Sequence, residues 1–129
     1  MPSIFTKIIN GEIPSYKVAE TEKFYAFLDI NPNAKGHTLC IPKKEVDYIF
    51  DLDENLYLGL MQFARKTAKA IETVVSCDRI GIAVVGLEVP HVHIHLIPLG
   101  SMEEMKFEKK VVLSKEEFTE LASKISAAF

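Results

Sequence analysis

Between Asp53 and Val75 the apolar residues Leu56, Leu60, Phe63, Ala64, Ala68, Ile71 and Val75 recur at helical spacing, with charged residues between them. That stripe predicts one long packing helix, and Asp51 with Glu54 reads as a capping pair at its start. Leu58 and Met61 lie off the stripe, either widening the core face or marking a subunit interface. Elsewhere the apolar residues come in short runs or in alternation. These predict strands near Tyr16 to Glu20, Lys23 to Leu28, Gly36 to Pro42, Ile80 to Val85 and His91 to Ile97, the last two able to pair as a hairpin. Ser3 offers a cap for a short helix over Ile4 to Asn10, stopped by Gly11 and Ile13-Pro14; Ser114 with Glu117 opens a final helix through about Ala127. About five strands with clustered helices predict an α+β fold: an antiparallel sheet, one long helix and shorter peripheral ones.

The run His91-Val92-His93-Ile94-His95-Leu96-Ile97 alternates strictly, so a strand would project three imidazoles from one face and Val92, Ile94 and Leu96 from the other. His37, in the Gly36 to Pro42 run, is the only other histidine, so all four could share one site. Three readings compete. The histidines could be polar tips of a half-buried strand. His91, His93 and His95 could hold a metal for a hydrolytic reaction, although zinc sites usually add a carboxylate or thiolate and a second shell that the pattern does not spell out. Or one imidazole could attack phosphorus: neutral imidazole, with a reference pKa of about 6.5, is a good nucleophile at pH 7 and a good leaving group once protonated.

Composition narrows the field. The 129 residues are 48% hydrophobic, enough for one domain with a real core, and neither repeat nor linker divides residues 1–129. The net charge of −3 gives no reason to expect nucleic acid or an anionic membrane as partner. The start lacks a basic segment leading into a long apolar run, which predicts a cytoplasmic protein with no membrane span. Cys40 and Cys77 suit neither a disulfide framework nor a close metal pair and read as reduced thiols.

Taken in order, Ile4-Phe5-Thr6-Lys7-Ile8-Ile9-Asn10-Gly11-Glu12-Ile13-Pro14, Gly36-His37-Thr38-Leu39-Cys40-Ile41-Pro42-Lys43 and the His91 to Ile97 run resemble the histidine triad (HIT) superfamily of nucleotide hydrolases and transferases, nearest its purine nucleoside phosphoramidase-like branch. The likeness covers about residues 3–100 and leaves 101–129 as a helical extension. It implies that His93 attacks the α-phosphorus of a purine nucleotide conjugate such as a phosphoramidate, an acyl-adenylate or a dinucleoside polyphosphate. His95 would contact the phosphate and the leaving-group oxygen, with His91 and His37 orienting the neighbouring rings. It further implies that Asp29 meets the ribose hydroxyls, that Ile4, Phe5, Ile8, Phe27 and Ile30 form an apolar base slot, that no cofactor is needed and that the protein is a homodimer.

The chain departs from the family pattern in two places. In Gly86-Leu87-Glu88-Val89-Pro90, Leu87 cannot donate a hydrogen bond, and an ionised, inward-facing Glu88 would repel phosphate. Losing one transition-state donor costs of order 10²-fold in rate, which implies slow turnover, an unusual substrate, or a nucleotide-binding module with little turnover. Ser3 and Thr6 stand where several bacterial relatives carry a Cys-x-x-Cys pair, so no structural zinc is expected.

Overall fold

The computed structural model describes residues 2–129. Ser3 is extended and its hydroxyl accepts the Thr6 N–H, which starts α1 (Ile4–Ile9). Strands β1 (Lys17–Glu20), β2 (Phe24–Leu28) and β3 (Thr38–Pro42) follow, then α2 (Glu54–Val74), β4 (Arg79–Ala83), β5 (Ile94–Leu99) and α3 (Lys115–Ala128). The sheet runs in the order β1-β2-β3-β5-β4 with every neighbouring pair antiparallel, so the fold is α+β as the patterning predicts. No described helix is long and apolar enough to cross a membrane.

The two faces of the sheet are covered unequally. Ala26, Leu28, Cys40, Ile94 and Leu96 pack against Leu60, Phe63, Ala64 and Ile71 of α2 and Phe118, Leu121, Ala122 and Ile125 of α3. Burying each Leu, Ile or Phe here contributes about 1.5–3 kcal/mol, which makes this the principal core. Residues of opposite parity, Tyr25, Phe27, Leu39 and Ile41, form a smaller cluster with Phe5 of α1. The histidines belong to that thinner side.

Several details differ from expectation. The cap of α2 is Asp53, whose carboxylate accepts the Leu56 N–H at 2.8 Å; Asp51 is taken up in a 3-10 turn, its N–H bonded to Tyr48 O. Thr67, outside the apolar stripe, is fully buried because its hydroxyl donates to Phe63 O. Met61 packs against the main core, while Leu58 is exposed. The hairpin forms, but β4 ends at Ala83, leaving Val84 and Val85 exposed, and β5 begins only at Ile94. His91 and His93 therefore precede the ladder. The alternation survives because Val92 is held by a bond from its N–H to Val46 O and still enters the principal core.

Gly36 decides how the chain enters β3. Its φ of +99° is open to glycine, and an added Cβ would lie 2.9 Å from Val75 Cγ2 and 3.2 Å from Pro98 Cγ. The turn it completes, with His37 N–H bonded to Ala34 O, sets His37 at the foot of β3 beside β5. The cap assignment is directly testable by urea unfolding: Asp53→Ala should lose about 1 kcal/mol, whereas Asp51→Ala should change stability by less than about 0.5 kcal/mol.

Candidate active site

All four imidazoles meet on the thin side of the sheet. His37 Nε2 and His95 Nδ1 are 2.9 Å apart, the rings of His93 and His95 have centroids 4.9 Å apart, and Phe5 stands edge-on to both His91 and His93. β5 places His95 opposite Leu39 on one flank and Ala83 on the other. The four histidines thus lie in one cluster.

Backbone partners assign the protons. Asn33 N–H donates to His37 Nδ1 at 3.0 Å, so in the neutral ring the proton sits on Nε2 and is donated to His95 Nδ1. His95 must then carry its own proton on Nε2. His93 Nδ1 lies 2.8 Å from the carbonyl oxygen of His91, which can only accept; Nδ1 is the protonated nitrogen and Nε2 keeps its lone pair. His91 Nε2–H donates to Pro42 O at 2.7 Å, leaving Nδ1 to accept the Ser3 hydroxyl at 2.7 Å. Every buried side-chain polar atom among the described residues has a partner. His37 and His91 are at most 1% exposed, whereas His93 and His95, each with one ring nitrogen left over, are 7% and 8% exposed. The two rings with spare chemistry are the two that solvent reaches.

Electrostatics favours the neutral state. Burial, followed by the charges of His95 and Lys110, pushes His37 down to about 3; burial, then His93 and Lys110, pushes His95 down to about 4. Burial also lowers His91. Asp29 moves the other way, its carboxyl raised by burial against the Asn31 N–H that its Oδ1 accepts at 2.8 Å. Asp29 Oδ2 is 3.6 Å from His37 Nε2, too long for a hydrogen bond, and a neutral His37 makes no ion pair with it.

Asp29, His37 and His95 lie close enough together to be considered as metal ligands. In the neutral pair His37 Nε2 and His95 Nδ1 share a proton that a metal ion would have to displace. The three-imidazole metal alternative loses His91, whose ring nitrogens are both engaged.

Comparison with known proteins bears on the same residues. The family model described as HIT domain matches residues 10–102, which include His37 and the whole His91 to Ile97 run. The chain belongs to the HIT domain family. It is 38% identical over 132 residues to an uncharacterised HIT-like protein of Borreliella burgdorferi, covering 95% of each chain. It is 44% identical over 97 residues to the Saccharomyces cerevisiae adenosine 5'-monophosphoramidase HNT1, covering 74% of this chain and 61% of that one. Among solved structures it is similar to a HIT-like protein of Bartonella henselae, described as involved in cell-cycle regulation, with a TM-score of 0.84, 35% identity and coverage of 98% and 96%.

Around the HIT histidines, the positions singled out from the sequence separate by burial. Phe5 and Phe27 are buried, with ring centroids 5.5 Å apart, and Ile8 packs partly against their cluster; Ile4 and Ile30 are exposed. Leu87 and Glu88 are exposed too, so the Glu88 charge is not buried among the imidazoles. Sequence reasoning missed Glu45, whose Oε1 accepts from Ser3 N and Thr6 Oγ1, both at 2.6 Å, and ties α1 to the His91 side. It also missed Asn33, Phe107 and Lys110. Phe107 lies edge-on to His95 with centroids 4.9 Å apart and to His37 at 6.1 Å, and Lys110 Nζ donates to Asn33 Oδ1 at 2.6 Å. No motif announces them, and Phe107 and Lys110 lie beyond the HIT match.

The buried neutral rings make stability pH-dependent. The unfolded chain protonates its histidines near pH 6.5, but the folded protein protonates His95 only near 4 and His37 near 3. Stability is therefore complete above about pH 6.5 and falls as pH is lowered, by at most about 1.4 kcal/mol per pH unit for each histidine. Urea titrations between pH 7.5 and 5, above the range where the depressed carboxylates take up protons, should show that slope, and His37→Gln should flatten it.

Proposed function

We propose that this HIT protein is a nucleotide hydrolase acting at the α-phosphorus of a small nucleoside monophosphate conjugate, with His93 as nucleophile. One observation carries the reading: the His91 carbonyl holds the proton of His93 on Nδ1 and leaves Nε2 as a lone pair, next to a His95 that presents Nε2–H. A nucleophile and a hydrogen-bond donor are thus built side by side, their proton positions traced back to the His91 carbonyl and, through His37, to the Asn33 N–H. The relative named as an adenosine 5'-monophosphoramidase supports a phosphoramidate as the first substrate to try.

With a phosphoramidate, His93 Nε2 forms a bond to phosphorus as the P–N bond breaks with its electron pair on nitrogen, and solvent protonates the departing amine. The nucleotidyl-imidazole keeps its Nδ1–H on the His91 carbonyl, which stabilises its positive charge. Water then attacks phosphorus, gives its proton to solvent and releases the nucleoside monophosphate and neutral His93. The His95 Nε2–H serves as donor to a phosphoryl oxygen in both steps. Asp29 meets the ribose hydroxyls, its burial favouring a ligand that can donate to it. Phe5, Phe27 and Ile8 form the floor of an apolar base slot that Ile4 and Ile30 complete at its edge.

Incubation with an adenosine phosphoramidate should release AMP without added metal and with chelator present. Intact-protein mass spectrometry should show a transient increment of one adenylyl group that is absent in His93→Ala, whose kcat should fall by about 10⁴-fold or more. No release at high enzyme concentration, together with AMP binding by calorimetry, would instead make the chain a binding module.

We also propose a homodimer built on the edge strand β4. Among the described residues one ladder edge of β4 has no pairing strand, and Ile82, Val84 and Val85 are exposed there, with Leu58 exposed on α2. Light scattering should give twice the chain mass of 14.5 kDa, and Ile82→Lys should shift it toward the monomer.

A further inference from the structure

We propose that Asn33, clamped by the segment Glu104 to Val111, is a positioning residue that sets the proton order of the His37–His95 pair. The inference rests on the proposed role of His95 as a donor, and it concerns how that donor is kept pointing the right way.

The hydrogen bond between His37 Nε2 and His95 Nδ1 can be made in two ways. Either His37 donates, and His95 carries its proton on Nε2, or His95 donates from Nδ1, and its Nε2 becomes a lone pair. The 2.9 Å contact is satisfied equally by both, so nothing within the pair chooses. The choice is made at His37 Nδ1, where the Asn33 N–H, a donor that cannot reverse, excludes a second proton. Withdraw that N–H by a fraction of an ångström and the pair is free to flip as a unit, replacing the donor facing the phosphate with a repelling lone pair.

Asn33 lies in the turn-rich loop between β2 and β3, a region that strand pairing does not hold. The holding comes from elsewhere in the chain. Its side chain is buried at 4% exposure, with Nδ2 donating to Glu104 O at 2.7 Å and Oδ1 accepting from Lys110 Nζ at 2.6 Å. The carboxamide offers a donor to the carbonyl and a neutral acceptor to the ammonium from two separate atoms of one side chain. Alongside, Val111 N–H donates to Pro32 O at 2.9 Å. Between these anchors Phe107 adopts φ of +58°, a left-handed conformation uncommon for a bulky aromatic, and sets its ring edge-on to both imidazoles. The strap gathers the loop, the backbone donor and the two rings into one unit. A capping box between Ser101 and Glu104, with Gly100 N–H also donating to Glu104, fixes the point where the strap begins.

Nitrogen-15 NMR of the whole protein labelled at histidine reads the tautomers directly. At neutral pH the wild type should show Nε2–H at both His37 and His95. Asn33→Ala should give mixed tautomers at both rings, with kcat for AMP release down roughly tenfold and KM changed by less than about twofold. Lys110→Met, whose replaced side chain is exposed, should shift the tautomers the same way to a smaller extent and decides the matter should Asn33→Ala not fold. An Nδ1–H His37 in the wild type, or an Asn33→Ala protein that keeps both Nε2–H tautomers, overturns the proposal. Because the spectra need no substrate, a wild type that releases no AMP would count against the hydrolase reading and leave this one to be decided by the tautomers.

Discussion

Three main-chain groups, the N–H of Asn33 and the carbonyls of His91 and Pro42, determine where every imidazole proton sits in this cluster. A peptide N–H only donates and a peptide carbonyl only accepts, and neither titrates near neutral pH. Side-chain partners would leave the order open to pH and rotamer. The fold can be read as a device for delivering these three groups: Pro42 ends β3, His91 is held one residue before Val92 docks on Val46, and Asn33 is fixed by contacts with the chain 71 and 77 residues further on.

That delivery depends on the uneven coverage of the sheet. One face carries α2 and α3 and most of the apolar burial, so β2, β3 and β5 are held by a core that does not include the histidines. The other face needs only α1 and a five-residue cluster, leaving His93 and His95 near the surface. Ser3 links the two requirements. It caps α1 through Thr6 N–H and donates to His91, and Glu45 grips both Ser3 and Thr6, so the helix carrying Phe5 is aligned by the same atoms that hold the buried histidine.

Much of this was legible in the sequence. Period two and period 3.6 are local properties, and they located the strands, the long helix and the face on which His91, His93 and His95 project. The alternation held even where His91 and His93 precede the ladder, because Val92 is an apolar residue that still had to be buried. The errors were of two kinds. Asp51 and Asp53 are both plausible caps, and only the 3-10 turn at Ile49–Asp51 selects between them. Glu45 and Lys110 bond partners 39 to 77 residues away, Phe107 meets its rings only in the folded chain, and Asn33, though four residues from His37, is held by groups 71 and 77 residues on, beyond the reach of any spacing rule. After β5, the Ser114-x-x-Glu117 signature marks the start of α3, whereas the Ser101–Glu104 capping box becomes visible only in the fold.

Two almost fully buried histidines, His37 and His91, keep two ring nitrogens in fixed states, a lone pair on His93 Nε2 and a proton on His95 Nε2. A lone exposed imidazole is also neutral at pH 7 for most of the time, but its proton moves freely between Nδ1 and Nε2. Burial removes the protonated form, as the depressed values of His37 and His95 require, yet burial alone does not select a tautomer. Selection needs fixed partners on each ring, and His91 shows the logic most plainly: both its nitrogens are occupied, so it contributes no chemistry, and its backbone carbonyl, not its ring, is what touches His93. The ring anchors the carbonyl by bonding Pro42 and Ser3 at once. The first histidine of the run is thus a buried, doubly bonded side chain that immobilises the peptide group fixing the tautomer of His93.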